Sequence, residues 1–248
     1  MSIKNILISQ KAPRVLTQYQ NVTEKFGVNF EFCPFFVVEP LSSREFRAQR
    51  INLLDYTAIV FSSRHAIDAF FQLAEELRIK IPETMKYFCT TEAVAMYLQK
   101  HIVYRKRKIF YGTGTPESLV ALVGPKHKGE KFLITMSDSS SADGLTSQFQ
   151  AHKLDYTTGV FVKSVSQDLH DKNLQDYDMI VFYNPADVKS LQENFPDFKQ
   201  GDIKMVSYGK SIVKAMEEAG LRIDVKAPTP EAPSVASAIE LYLESLKS

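Results

Sequence analysis

Hydroxyl and amide side chains recur directly after the apolar runs of this chain, where a helical pattern begins. They are Ser62, Ser63, Thr90, Thr91, Thr113, Ser137 at the head of the serine run 137–141, Asn184, and Ser211, which Gly209 precedes. A helix that begins at such a turn offers free N–H groups and a positive dipole end, which attract carboxylates and phosphates. Taken singly, each residue is better explained as a helix N-cap. Taken together, they favour binding of a polyanion.

Basic residues next to these turns would add positive charge to such a site. Arg64 follows Ser63, and Lys210 follows Gly209. A second basic run, YRKRKIF at 104–110, is similar to a nucleic-acid or localisation patch. It passes straight into Ile109 and Phe110, so a charged entrance to a strand explains it better. Alternatively, the basic side chains of this run could contribute positive charge to the anion site.

Other common chemistries leave no trace in the sequence. The five histidines are scattered, and neither an HxxxH nor a paired-cysteine spacing occurs, so we expect no metal site. GTGTPES near Gly112 lacks the lysine of a P-loop and the third glycine of a dinucleotide fingerprint. No GxSxG elbow occurs. Cys33 and Cys89 stand in apolar runs and favour buried thiols over a disulfide.

The elements that carry these turns are written twice along the chain. IVFSSRHAIDAFF from Ile59 has a counterpart, IVFYNPADVKSLQ, that begins 121 residues later at Ile180. KYFCTTEAVAMYL from Lys86 has its counterpart, KMVSYGKSIVKAM, 118 residues later at Lys204. Short apolar runs that alternate with helical patterns are typical of βα units and parallel sheets. The sequence therefore predicts an α/β protein with two similar parallel-sheet lobes, whose turns meet at the ligand-binding edge of each sheet.

Two long extended segments indicate how the lobes are connected. NFEFCPFFVVEP ends at Pro40, and DYTTGVFVKSVSQ starts at Asp155; both exceed an average strand. We expect them to form a two-stranded bridge over 30–40 and 155–165. Lobe one would then be discontinuous, with residues 1–34 and 164–248, and lobe two would hold residues 40–157.

Composition excludes several classes of protein. The 248 residues carry 30 basic and 29 acidic side chains, so the net charge of +1 gives no global attraction to nucleic acid or to anionic membranes. No apolar run approaches the length of a membrane span, and MSIKNILISQ reads as a first strand rather than a signal peptide. We expect a soluble, cytoplasmic protein.

At these same turns the chain resembles uroporphyrinogen III synthases, along nearly its whole length. The resemblance lies in IVFSSRHAIDAFF, in IVFYNPADVKSL and, most specifically, in VSYGKSIVKAMEEAGLRIDVKAPTPEAPSVASAI at 206–239. MKYFCTTEAVAMYLQKHIVYRKRKIF and ENFPDF look closest to members from the Bacteroidetes. The resemblance implies two α/β lobes with the substrate between them, no cofactor, and a monomer. It also implies that the linear tetrapyrrole hydroxymethylbilane is cyclised with inversion of its ring D through a spiro intermediate.

The chain departs from the family pattern at several polar positions. Phe161 stands where many members have a tyrosine proposed to assist the leaving hydroxyl. Asn184, preceded by Tyr183, replaces a serine, Ala93 falls near a usual threonine, and Ser211 replaces another threonine. Ser9, Gln10 and Lys11 replace an N-terminal Thr-Arg-Pro pattern. We predict that Tyr183 supplies the missing phenol.

Two other hypotheses stay open at this point. The departures would suit a family member that binds a polyanionic tetrapyrrole without turning it over. A nucleic-acid binder acting through the run from Tyr104 to Lys108 is the third hypothesis.

Overall fold

The computed structural model describes residues 3–139 and 143–247, so Ser140 and Ser141 of the serine run lie outside the described residues. The chain divides into two compact units. Unit 1 comprises Met1–Val37 and Val165–Ser248, and unit 2 comprises Val38–Ser164. Each unit is built on a mostly parallel sheet covered by helices, which confirms the predicted fold class.

The strands and helices alternate along the described residues. The strands are β1 (Asn5–Ile8), β2 (Asn29–Phe32), β3 (Phe36–Pro40), β4 (Ala58–Phe61), β5 (Lys86–Cys89), β6 (Ile109–Tyr111), β7 (Lys131–Ser137), β8 (Asp155–Ser166), β9 (Met179–Phe182), β10 (Lys204–Tyr208) and β11 (Val225–Ala227). The helices are α1 (Thr17–Phe26), α2 (Ser43–Ala48), α3 (Arg64–Glu76), α4 (Glu92–Tyr97), α5 (Pro116–Val123), α6 (Asp143–Ala151), α7 (Pro185–Asn194), α8 (Lys210–Glu218) and α9 (Val235–Ser245).

The five-stranded sheet of unit 1 has the order β11-β10-β9-β1-β2, and all its pairs are parallel. The chain starts in β1, adds β2 on one side, and then adds β9, β10 and β11 on the other. The order therefore reverses between β1 and β9, and such a reversal is the usual place for a ligand crevice in an open α/β sheet.

The second sheet has the order β3-β8-β7-β4-β5-β6. Its printed pairs among β4 to β8 are parallel, and the order reverses between β4 and β7. At the edge, Leu41 N donates to Phe161 O and Gln167 N donates to Phe35 O, so β3 runs antiparallel to β8. The boundaries between the units fall within these two strands.

Burial on both faces explains why the central strands are apolar throughout. In β4, Ile59 and Phe61 pack into one cluster of buried side chains, while Ala58 and Val60 pack into another. A strand with helices on both faces needs apolar residues at every position. The helices keep one apolar face; α1 ends at Gly27, whose positive φ of 70° suits a left-handed C-cap.

The repeat seen in the sequence is a repeat in three dimensions. β9 lies 121 residues after β4 at both ends, and α7 begins 121 residues after α3. β10 and α8 begin 118 residues after β5 and α4. The strand register is also repeated, since Ala58 pairs with Lys86 as Met179 pairs with Lys204. Positions in the two units can therefore be compared residue by residue.

Residues 30–40, which the sequence presents as one extended segment, form two strands. β2 ends at Phe32 and pairs within unit 1, whereas β3 begins at Phe36 and pairs with β8. Pro34 lies between them and has no N–H to donate to a ladder, which accounts for the interruption.

Candidate functional site

A cavity of about 370 Å³ lies in unit 2 at the carboxyl ends of the parallel strands, where the strand order reverses between β4 and β7. Its lining residues come from the ends of these strands and from the turns and helix starts that follow them. They are Ser62, Ser63, Ala66, Thr90, Gly114, Pro116, Ile134, Thr135, Met136, Ser137, Gly144, Leu145 and Val162. Most of the wall is apolar, and hydroxyl groups supply its polar side chains.

Two helices begin at this cavity with capped first turns. Ser63 Oγ accepts from Ala66 N at 3.1 Å and starts α3. Thr115 Oγ1 accepts from Ser118 N at 3.3 Å and starts α5, with Pro116 as its first residue. Because Ala66 and Pro116 both line the cavity, the positive ends of two helix dipoles lie at its wall.

The turn after β4 contains two backbone N–H groups without an acceptor in the described part of the chain. Neither Ser62 N nor Ser63 N has an acceptor among residues 3–139 and 143–247. Ser62 is exposed and Ser63 is half-buried, so these N–H groups are open to solvent or to a ligand. An N-terminal helix turn with free donors is a ready site for an anion.

The equivalent turn of unit 1 is filled by a side chain of the protein itself. Asp187 Oδ2 accepts from Tyr183 N at 2.8 Å, from Asn184 N at 2.9 Å and from Ser9 Oγ at 2.8 Å. Tyr183, Asn184 and Asp187 lie 121 residues after Ser62, Ser63 and Ala66. The same pair of backbone donors therefore holds a carboxylate in unit 1 and faces a small alanine in unit 2.

Asp187 is fully buried, and burial raises the pKa of its carboxyl to about 6, partly offset by the hydrogen bonds that it accepts. Its Oδ1 has no partner within the described part of the chain. At neutral pH the carboxylate form predominates, so the unit 1 turn holds an anion.

The residues predicted from the sequence are distributed over both units. Ser62, Ser63, Thr90 and Ser137 line the one cavity, although they are far apart in sequence. The sheet brings them together because the carboxyl ends of its parallel strands share an edge.

Three other predicted residues of unit 2 lie beside this group but do not line the cavity. Thr91 is the N-cap of α4 and accepts from Val94 N at 3.4 Å. Thr113 N donates to Ser118 Oγ at 3.0 Å. The Arg64 guanidinium lies 5.4 Å from the ring centre of Tyr97, a cation–π contact.

The remaining predicted residues lie in unit 1. Asn184 caps its own helix, with Oδ1 accepting from Ala186 N at 2.9 Å. Gly209, with a φ of 104°, precedes α8, and Lys210 and Ser211 are its exposed first residues. No side-chain cap holds the start of α8, so its first N–H groups are open to solvent or to a ligand.

Several lining residues escaped the sequence interpretation. Thr135 lies within β7, and its hydroxyl donates to Val60 O at 2.7 Å, so pattern alone assigns it to the core. Gly114, at a φ of 100°, makes the tight turn before α5, and the GTG run was the available signal for it. Cys89, next to Thr90, is fully buried, and burial raises the pKa of its thiol to about 12, which keeps it protonated.

Two other kinds of feature are absent from the described residues. No group of three or more His, Cys, Asp or Glu side chains is placed to hold a metal ion. None of the described helices has the length and apolar character needed to cross a bilayer.

A protein-family model described as uroporphyrinogen-III synthase HemD matches residues 17–237, which is most of the chain. The chain belongs to the uroporphyrinogen-III synthase family. Solved structures agree at the level of the fold. The synthetase from Helicobacter pylori 26695 has a TM-score of 0.57 at 15% identity, covering 98% of this chain and 100% of that chain. A mutant synthase from Thermus thermophilus has a TM-score of 0.53 at 14% identity, covering 98% and 99%. A search of curated proteins gives no match.

Two departures from the uroporphyrinogen-III synthase pattern now have a structural setting. Phe161 is 1% exposed and packs against Phe46 and Phe70, with ring centres 4.9 and 5.8 Å away. It belongs to the core of unit 2, while its neighbour Val162 lines the cavity. Ala93 is an exposed residue in the first turn of α4 and does not line the cavity.

Tyr183 lies in a cluster of phenols in unit 1. It is half-buried, neighbours Tyr19, and has its ring 5.2 Å from that of Tyr208. Burial, with the neighbouring Tyr19, raises the pKa of Tyr183 well above its usual range. The phenol therefore stays protonated and keeps a proton to donate.

Proposed function

We propose that this protein is a uroporphyrinogen-III synthase that holds carboxylates of hydroxymethylbilane at the unit 2 cavity. The single observation that carries the proposal is the pair of equivalent turns. In unit 1 the two backbone donors hold the carboxylate of Asp187, whereas in unit 2 the equivalent donors of Ser62 and Ser63 have no acceptor among the described residues.

The chemistry of the cavity supports a carboxylate ligand with an apolar body. Two helix N-termini and the hydroxyls of Ser62, Thr90 and Ser137 suit the charged groups of the substrate. Ile134, Met136, Leu145 and Val162 give the same cavity an apolar wall that suits pyrrole rings. Arg64, Thr91, Thr113, Asn184, Gly209, Lys210 and Ser211 remain proposed contacts for other parts of a substrate with eight carboxylates.

The reaction proceeds with little covalent help from the protein. Loss of the terminal hydroxyl as water leaves an azafulvene cation, and the substituted end of ring D attacks it to form a spiro intermediate. Fragmentation and reclosure invert ring D, and the elimination of water makes the enzyme a lyase. By holding the two ends of the linear substrate close together, the protein lowers the activation free energy by several kcal/mol through proximity. Unguided closure gives the symmetric type I isomer, so the geometry of binding selects the product.

Tyr183 is the proposed hydrogen-bond donor to the leaving hydroxyl. Replacing Tyr183 with Phe removes the donor and should lower kcat by about tenfold to a hundredfold, with KM little changed, because general acids contribute on this scale. The matched control is Tyr242→Phe, a half-buried tyrosine on α9 of the same unit. Equal kcat values for the two variants and the wild type would remove Tyr183 from the mechanism.

The experiment that tests the function feeds hydroxymethylbilane to the protein and resolves the type III and type I isomers. We expect type III in large excess over the spontaneous background. Background isomers together with measurable binding of the substrate would instead identify a binding protein that has lost the activity.

A further inference from the structure

The opposite edge of unit 2 carries a second cavity, separate from the proposed substrate site. This cavity of about 220 Å³ lies at the amino ends of β5 and β6. Ile81, Met85, Ile102 and Ile109 form its apolar wall, and Arg105 and Lys108 form its basic wall. The carboxyl-end site and this cavity share no lining residue.

The apolar part of this surface reaches solvent. Val103, at the rim, is 76% exposed, a higher fraction than any other large apolar side chain in the described residues. An exposed apolar rim around a pocket of this size fits one aliphatic side chain of a partner.

The basic part is the run 105–108. Arg105, Lys106, Arg107 and Lys108 form no ion pair with any residue in 3–139 or 143–247. Lys108 N donates to Arg105 O at 2.9 Å, so a turn brings the two lining cations together. Four of the 30 basic residues stand in this run, and the other 26 are outnumbered by 29 acidic residues. The run is therefore a local positive patch, and the rest of the chain is slightly acidic. Glu83 is the one acidic residue that lines the cavity.

We propose that this surface docks an acidic segment of a partner protein, with one aliphatic side chain in the cavity and flanking carboxylates on Arg105 and Lys108. Charge complementarity favours an acidic partner, and the apolar wall favours a peptide with an aliphatic anchor. Nucleic acid fits less well, because single strands need exposed aromatic platforms. The two tyrosines here, Tyr87 and Tyr104, pack against the core of unit 2, and Tyr87 is only 3% exposed.

The probe is an acetylated and amidated heptapeptide with leucine at its centre and glutamate at the other positions, titrated to millimolar concentration against the full chain. The isoleucine methyl signals in NMR spectra report binding, since Ile81, Ile102 and Ile109 line the cavity. We expect saturable shifts of these three signals with the leucine peptide and none with a peptide that has serine at the centre. No shift, or equal shifts with both peptides, would overturn the proposal.

Charge reversal tests the basic wall. The double substitution Arg105→Glu and Lys108→Glu should weaken binding of the leucine peptide about tenfold, because two charge attractions become repulsions. The matched control, Lys126→Glu with Lys128→Glu, changes the same charge at two exposed lysines of unit 2 outside the cavity and should leave the peptide affinity unchanged. Formation of the type III isomer should stay at the wild-type level in both variants. The assignment to an acidic peptide would be overturned if both pairs of substitutions weakened peptide binding equally. It would also be overturned if oligothymidine bound more tightly than the peptide and the Arg105→Glu, Lys108→Glu variant lost that binding.

Discussion

The turn after β4 and the turn after β9 share one backbone plan and differ in what occupies them. In unit 2, Ser62 N and Ser63 N have no acceptor among the described residues, and Ala66 leaves a cavity beside them. In unit 1, the equivalent N–H groups donate to Asp187, which also accepts a hydrogen bond from Ser9, directly after β1. The residue at one equivalent position, Ala66 or Asp187, thus decides whether the turn is open, with free backbone donors, or closed by a carboxylate of the protein itself.

The difference shows how a duplicated unit can divide its tasks. An aspartate at the third helical position satisfies the first turn of α7 and completes a capping box with Asn184. With an alanine there, Ser62 N and Ser63 N keep no acceptor among the described residues. The closed copy gains a hydrogen-bonded network, and the open copy keeps the groups that we propose to bind substrate.

The largest effect should come from removing the carboxylate of the closed copy. Asp187→Ala leaves three donors without an acceptor, two of them backbone N–H groups, in a buried place. We expect the free energy of unfolding at pH 5 to fall by roughly 4 kcal/mol, measured by urea unfolding. In the control Asp178→Ala, a half-buried carboxylate that also accepts two backbone N–H groups is lost. Water can replace it, so a loss of about 1 kcal/mol is expected. Equal losses of unfolding free energy in the two variants would contradict the claim that the donors around Asp187 cannot be satisfied by water.

The pH dependence of stability that Asp187 causes should be the next largest effect. The folded pKa of Asp187 is raised to about 6, so the folded state binds the proton more tightly than the unfolded chain does. Stability is therefore fully present below the unfolded pKa and is lost as the pH rises through about 6. Relative to Asp187→Asn, which does not titrate, the wild type should lose about 2 kcal/mol between pH 4 and pH 7. Urea unfolding across this range gives the difference, and a flat difference would contradict the burial of an ionising carboxyl.

A smaller effect should follow from closing the open copy. Ala66→Asp places a carboxylate where Asp187 stands in unit 1, so it competes with the substrate for Ser62 N and Ser63 N. We expect KM for hydroxymethylbilane to rise about tenfold, equivalent to about 1.4 kcal/mol. Ala66→Asn has nearly the same shape without the charge and should change KM much less. Equal KM values for both variants would mean that filled volume, and not charge, controls the site.

Much of the fold was readable from the chain. The offsets of 121 and 118 residues predicted two similar units, and the structure repeats the elements and the strand register at those offsets. Strands such as β4 are apolar at every position because helices cover both faces of the sheet. The break between β2 and β3 was missed because apolar residues flank Pro34 on both sides and hide the interruption.

The candidate site was only partly readable. Ser62, Ser63, Thr90 and Ser137 were predicted from their places after strands, and the sheet does bring them to one cavity. Asp187 was passed over because an aspartate in the first turn of a helix is usually a solvated cap. In the structure it is buried and accepts a hydrogen bond from Ser9, which lies 178 residues away in sequence.

The sequence by itself determined most of the strands and helices, that the elements repeat, and which turns carry hydroxyl groups, since these follow from local periodicity and residue type. Only the tertiary structure decided which turn is open. The order of strands in each sheet sets which side chains meet at its carboxyl edge, and whether a donor finds an acceptor there depends on residues far away along the chain.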